Sequence, residues 1–226
     1  VSDDSIRQAL QQCFDSQAML GDLDELVRKR SLGGQEEPAQ RAMAELLQAA
    51  GMQVDEWQID LGALRRHPSF CEEIHRRDAL GVVGRLRGAG GGPTLMFNGH
   101  VDVVDAGSVA EWTVPPWELT VRDGRAYGRG AVDMKGGLVA AVEAVRMLQR
   151  AGVRLRGDLL LASVVGEEDG GTGALATMER GYRPDAAVIM EPTGLAVAPA
   201  HAGALNFRVR LHGRSAHGCV RSEGVS

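Results

Sequence analysis

Between Asp4 and Arg30 the apolar residues recur at helical spacing, with Ile6, Leu10, Met19, Leu23, Leu26 and Val27 among them. The segment SLGGQEEPAQ breaks this pattern, and a second helix then runs to Ala50, where Gly51 stops it. MQVDEWQI alternates apolar and polar positions and predicts a strand. The stretch from Leu61 to Asp78 is charged and without period, which predicts a surface excursion. ALGVVGRLRG predicts a strand and GAGGGP a turn, while TLMFNGHVDVV is a short apolar run of the buried-strand type. Trp117 to Tyr127 predicts a hairpin turned at Asp123-Gly124. MKGGLVAAVEAVRMLQRAG reads as a long helix stopping near Gly152, and DLLLASVV as a second buried strand. Thr172 to Arg180 is helical with Gly181 in capping position, and AAVIM is a further strand. Strands alternating with helices predict a layered α/β domain, and no internal repeat interrupts it. After Pro199 the character changes: GALNFRVRLHGRSAHG starts a new alternating strand. One strand does not make a stable domain by itself, so the sequence reads as cut short inside a second domain.

Composition narrows the function classes. A hydrophobic content of 44% over 226 residues suits a soluble protein with a sizeable core. The net charge is −5, Lys29 and Lys135 are the only lysines, and the arginines are scattered without a basic stripe. A nucleic-acid partner is therefore not expected. Cys13, Cys71 and Cys219 are odd in number and widely spaced, which suits a reducing cytoplasm better than a disulfide framework. VSDDSIRQAL lacks the basic and apolar regions of a signal peptide. No apolar run approaches the roughly 20 residues that span a bilayer. A soluble, cytoplasmic protein without a membrane partner is expected.

Five short segments carry candidate chemistry. His100 and Asp102 stand two apart at the end of a buried strand, so their side chains emerge on one face. A metal-bound imidazole usually donates its other N–H to a carboxylate, which makes His100 a candidate ligand and Asp102 its orienter. Asp133, in GRGAVDMKGG, precedes the long helix; it serves as an N-cap or as a carboxylate bridging two cations. Glu167 and Glu168, in GEEDGG after DLLLASVV, form either a solvated acidic turn or a ligand beside a base that faces water. Glu191 follows AAVIM, and His217 lies in GRSAHG. Taken singly, each segment has a plain structural explanation. Taken together, His100, Asp102, Asp133, Glu168 and Glu191 all fall at element ends that a parallel-type sheet gathers along one edge. One histidine with several carboxylates and no cysteine suits zinc, cobalt or manganese with a position left for water. A phosphate-binding loop is absent, which argues against a nucleotide site.

The segments NGHVDVV, DGRAYGRGAVDMKGG, VVGEEDGGTGA, MEPTG and GRSAHG resemble the metallohydrolase family of acetylornithine deacetylase, succinyl-diaminopimelate desuccinylase, aminoacylase and carboxypeptidase G, in order and spacing. The resemblance implies an α/β fold with a layered mixed-sheet catalytic domain and helices on both faces. It places that metal-binding domain at residues 1–200, lacking its C-terminal return segment, and the start of an inserted α+β dimerisation or lid domain at 201–226. It implies two divalent ions, zinc first with cobalt or manganese as alternatives. His100 and Glu191 would hold one, Glu168 the other, and Asp133 would bridge them. Asp102 would orient His100, Glu167 would be the general base, and His217 would reach a partner subunit's site in a homodimer. The peptide bond after Asp133 is often cis in such proteins. The family's further histidine ligand lies downstream of anything in this sequence, so these 226 residues alone are expected to have weak or no activity. The reaction implied is hydrolysis of an N-acyl amino acid by a metal-bridging hydroxide. The alternatives are a dipeptidase or carboxypeptidase of the same chemistry, or a metal-binding module without activity.

Overall fold

The computed structural model describes residues 3–200, 203, 209, 210 and 212–225. They form two compact units, Val1–Pro192 and Thr193–Ser226.

The first unit opens with helices α1 (Asp3–Gln12) and α2 (Ser16–Arg28). The single helical run expected here is broken at Asp15, and a long-range contact is the reason. Asp15 turns its carboxylate onto the amides of Gln17 and Ala18, capping α2, while its own N–H donates to Glu143 at 2.9 Å. Helix α3 (Glu37–Ala49) follows, then strand β1 (Gln53–Gln58) and the one-turn helix α4 (Leu61–Leu64). Strands β2 (Leu80–Leu86) and β3 (Leu95–His100) lead to a hairpin of β4 (Thr120–Arg122) and β5 (Arg125–Tyr127). Asp123 and Gly124 both have positive φ, as the tight hairpin turn read from the sequence requires. Helix α5 (Lys135–Arg150), strand β6 (Leu159–Val164), helix α6 (Thr172–Glu179) and strand β7 (Ala186–Ile189) complete the unit.

Five strands form a mixed sheet in the order β1-β2-β6-β3-β7. β3 runs parallel to both β6 and β7, whereas β2 is antiparallel to β1 and β6. The crossovers β3–α5–β6 and β6–α6–β7 travel in opposite directions across the sheet. Right-handed connections therefore put α5 and α6 on opposite faces. The alternation of β6 follows the same division. Leu159 and Leu161 join the main core with residues of α2, α3 and α5, while Leu160, Ala162 and Val164 pack with Val83 and Met96. A buried Gln40 links α3 to the sheet, donating to the carbonyls of Leu80 at 2.9 Å and Ser163 at 2.8 Å. β6, with a neighbour on each side, is buried throughout; β7, at the sheet edge, is exposed despite its apolar sequence. Truncating Leu161, fully buried in β6, to alanine is expected to cost about 2–5 kcal/mol of stability by thermal or denaturant unfolding. A loss near zero would mean that this strand is not the core's centre.

The stretch from Leu61 to Asp78 lies mostly at the surface, as expected, but it carries α4 and buries Leu61, Leu64 and, near its end, Arg76. Its many charges are not all solvated: Arg76 lies between two buried acids, Glu36 and Asp169.

In the second unit, Arg214 and Val225 pair through two backbone hydrogen bonds, each 2.9 Å, around a 3-10 turn at Gly218–Glu223. His217 starts that turn, its Nδ1 accepting from the amide of Cys219 at 3.3 Å. Of the alternating strand expected over 203–218, residues 204–208 and 211 lie outside the described residues; the described ones carry only the isolated bridge of Arg214 to Val225.

Candidate metal centre

The parallel strands β3 and β6 end side by side, and their pairing runs one step further through Val101 N–H to Val164 O at 3.0 Å. On the other flank Met190 N–H donates to Asn98 O at 3.1 Å, extending the β3–β7 pairing to the residue before Glu191. His100, the Glu167–Glu168 turn and Glu191 thus leave the same end of the sheet. Asp133 arrives from the start of α5, which presses closely on β3. A Cβ on Gly99 would stand 3.0–3.1 Å from the side chains of Leu138 and Met134, so glycine is what lets helix and strand approach. The Asp133–Met134 peptide is cis, as the resemblance implied.

His100 is 1% exposed and forms the floor of the cluster. Its Nε2 lies 3.0 Å from Asp133 Oδ1 and 3.8 Å from both Glu167 Oε2 and Glu191 Oε1. Ligand atoms of His100, Asp133 and Glu168 lie within 4.8 Å of one another, and so do those of His100, Glu167 and Glu191. Asp133, Glu167, Glu168 and Glu191 therefore converge on one imidazole. Asp133 and Glu167 are half exposed, so the centre is open to solvent above a buried base.

Asp102 supports the cluster in two ways. His100 Nδ1 donates to the backbone carbonyl of Asp102 at 2.9 Å, with the carboxylate further off at 3.6 Å. That carboxylate accepts the N–H of Glu168 at 3.0 Å through Oδ2, while its buried Oδ1 has no hydrogen-bond partner. Asp102 thus fixes the imidazole through its main chain and the acidic turn through its side chain.

With Nδ1 as donor, a neutral imidazole points the lone pair of Nε2 at the carboxylates. Two acceptors 3.0 Å apart repel unless a proton or a cation lies between them. The titration behaviour follows. Burial pulls the His100 pKa down, but Asp102, Glu167, the Asp102 carbonyl and Glu191 together raise it above its ordinary value. Burial, then the charges of Asp133, Glu167 and Asp102, raise Glu168 against the pull of His100. Glu191 is raised by burial, by Asp133 and Glu167, and by a hydrogen bond shared with Asp133, again against the pull of His100. Carboxylates that hydrogen-bond to each other and crowd an imidazole lone pair make a donor set that divalent cations satisfy. Hard oxygens with one nitrogen fit zinc, cobalt or manganese.

Comparison with known proteins agrees with this geometry. The model of peptidase family M20/M25/M40 matches residues 96–217, from the start of β3 to His217. The chain belongs to this family. Its relatives include a probable succinyl-diaminopimelate desuccinylase of Staphylococcus aureus, 38% identical over 148 residues, or 65% of this chain and 35% of that protein. An N-formyl-4-amino-5-aminomethyl-2-methylpyrimidine deformylase of Halalkalibacterium halodurans is 45% identical over 98 residues, 43% of this chain and 23% of the relative. Among solved structures, human carnosine dipeptidase 1 superposes with a TM-score of 0.64 at 24% identity, covering 81% of this chain and 40% of that one. An M20 family metallo-carboxypeptidase from Sulfolobus solfataricus gives 0.61 at 21%, covering 78% and 37%. At such identities the structures speak for the fold, a mixed α/β layer common to the M20/M25/M40 peptidases. The chain spans about a third of the length of the desuccinylase relative.

Two supporting residues were not singled out by sequence reasoning. Lys135 is fully buried and donates to the carbonyls of Leu26 and Lys29, each at 2.9 Å, tying the end of α2 to the start of α5. Burial pushes its pKa down to about 7. A lysine where nearly every other basic side chain is arginine was the available signal, since a compact ammonium fits two converging carbonyls better than a planar fork. Arg76 gave no such signal. Among the described residues no helix is long and apolar enough to cross a membrane.

Proposed function

We propose that this chain is the metal-binding part of an amide hydrolase acting on N-acyl amino acids, of the acetylornithine deacetylase or succinyl-diaminopimelate desuccinylase kind. The observation that carries the reading is the buried imidazole of His100 with Asp133, Glu167 and Glu191 within 4 Å of its Nε2. His100 and Glu191 would hold one divalent ion and Glu168 a second, with Asp133 shared between them. When bound, such ions supply Lewis acidity and a water that ionises near neutral pH. The protein's own groups do the rest. Asp102 keeps the proton on Nδ1, so that Nε2 stays a ligand. Glu167, half exposed at the mouth of the cluster, takes the proton of the attacking water and passes it to the leaving amine. His217, supplied by the partner subunit of a homodimer, steadies the developing oxyanion, a contribution of about 3–4 kcal/mol for one such donor.

The desuccinylase relatives support a deacylase over a dipeptidase, because the dipeptidases among the solved structures share the fold at only 24% and 19% identity. Three free cysteines, one half-buried and two exposed, favour a reducing cytoplasm. The test assays the full gene product, loaded with zinc, cobalt or manganese, against acetylornithine, succinyl-diaminopimelate and dipeptides. Metal-dependent release of the free amino acid from an N-acyl substrate is expected. Faster turnover of dipeptides would move the assignment to a peptidase, and metal binding without turnover of any of them would make the protein a binding module.

A further inference from the structure

We infer that Arg76 is the positioning residue for the loop that carries Glu167 and Glu168. This rests on the function proposed above for those two glutamates, but its structural basis is separate. Residues 166–171 read Gly-Glu-Glu-Asp-Gly-Gly, half of them glycine. Such a backbone has little intrinsic preference for one conformation, and its adjacent acids repel one another. Something outside the loop must hold it.

On the side of the metal centre that anchor is Asp102, which accepts the N–H of Glu168. On the opposite side it is the segment 71–76. Glu73 N–H donates to Asp169 O at 2.8 Å. Gly170 lies so close to the Cys71 carbonyl that a Cβ there would be 2.4 Å from the oxygen. Gly166, at φ +68°, lies flat against the Arg76 guanidinium, where a Cβ would be 2.9 Å from Cζ. The guanidinium itself is fully buried. Nη1 donates to both oxygens of Asp169 at 2.8 Å, while Nε and Nη2 donate to Glu36 Oε1 at 3.1 and 2.5 Å.

The planar fork of arginine faces two ways at once, which a lysine ammonium does not reproduce. Glu36 is the residue from which α3 starts, and α3 is locked to β2 and β6 by Gln40. The chain of contacts therefore runs from the rigid sheet through α3 and Arg76 to Asp169, which directly follows the two functional glutamates in the loop. A buried arginine with two acids is a costly way to gain stability, since apolar residues of similar volume serve that end as well. Fixing a glycine-rich loop in one place is what this arrangement adds.

Hydrogen exchange and zinc affinity, measured on this chain, test the inference. Two variants are needed: Arg76→Lys, and the combination Glu36→Gln, Arg76→Met, Asp169→Asn, which leaves no orphaned buried charge. The amides of Glu168, Gly170 and Gly171 should exchange about tenfold faster or more in both variants. Those of Leu159–Val164 should keep their protection, and zinc affinity should fall within the range of about 10–100-fold that loss of an outer support costs a metal site. Unchanged loop protection with unchanged zinc affinity overturns the inference. So does an equal loss of protection in β6 and the loop, because Arg76 would then support the whole fold. If the unaltered chain binds no zinc but the variants still free the loop, the proposed function fails and the positioning role stands.

Discussion

Asp133→Ala will strip metal from the centre while leaving the fold standing. The side chain is 52% exposed, and its close contacts are His100 Nε2 at 3.0 Å and the carboxyl of Glu191, so its removal opens no cavity in the core. Surface substitutions of this kind usually change stability by no more than about 0.5 kcal/mol. Here the metal-free protein should melt at the same temperature or higher. Asp133 is one of the negative charges that raise Glu168 and Glu191 above the ordinary carboxylate range, so its loss relieves repulsion in the metal-free cluster. The effect on metal is opposite. As the carboxylate proposed to be shared between two ions, Asp133 would contribute to both, and its loss should exceed the roughly 10–100-fold penalty of removing a mere supporting partner. Competition with a chelator, followed by metal analysis and a melt of the stripped protein, checks both halves. A variant that keeps the metal content of the parent would remove Asp133 from the coordination scheme.

Glu167→Ala should do the reverse in the full gene product: keep the metal and lose turnover. General acid–base groups contribute about 10²–10⁴-fold to rate, and kcat on an N-acyl substrate should fall by that factor. The prediction is sharp because Glu167 Oε2 and Glu191 Oε1 stand at the same 3.8 Å from His100 Nε2. Distance alone does not separate a ligand from a base. Exposure favours the base: Glu167 is 49% exposed and Glu191 34%, so Glu167 faces the side from which water and substrate arrive. If metal is lost along with turnover, Glu167 is a ligand and not the base, and the two glutamates have their roles exchanged.

Much of the architecture was legible from periodicity. The apolar runs that became β3, β6 and β7, the amphipathic run that became α5, and the Asp123-Gly124 turn each depend on interactions within a few residues. Where the reading failed, the cause lay far off in sequence. The helix expected from Asp4 to Arg30 breaks because Glu143, 128 residues away, takes the N–H of Asp15. Arg76 is buried because Glu36 and Asp169, 40 and 93 residues distant, supply the counter-charges. AAVIM was legible as a strand, but its exposure was not, since edge position is a property of the sheet and not of the segment.

The candidate site divides the same way. The sequence by itself pointed to the side chains proposed to carry the chemistry, His100, Asp102, Asp133, Glu167, Glu168 and Glu191, because each follows a run that builds a strand or precedes one that builds a helix. Only the tertiary structure decided how they meet. The parallel order β6-β3-β7 brings three strand ends to one place, and the close approach of α5 over Gly99 delivers Asp133. It also decided what each support does: Asp102 holds the imidazole by its carbonyl and keeps its carboxylate for the Glu168 amide. Local patterning fixes where a side chain leaves its own element, whereas distances between elements are set by packing, and packing belongs to the whole chain at once.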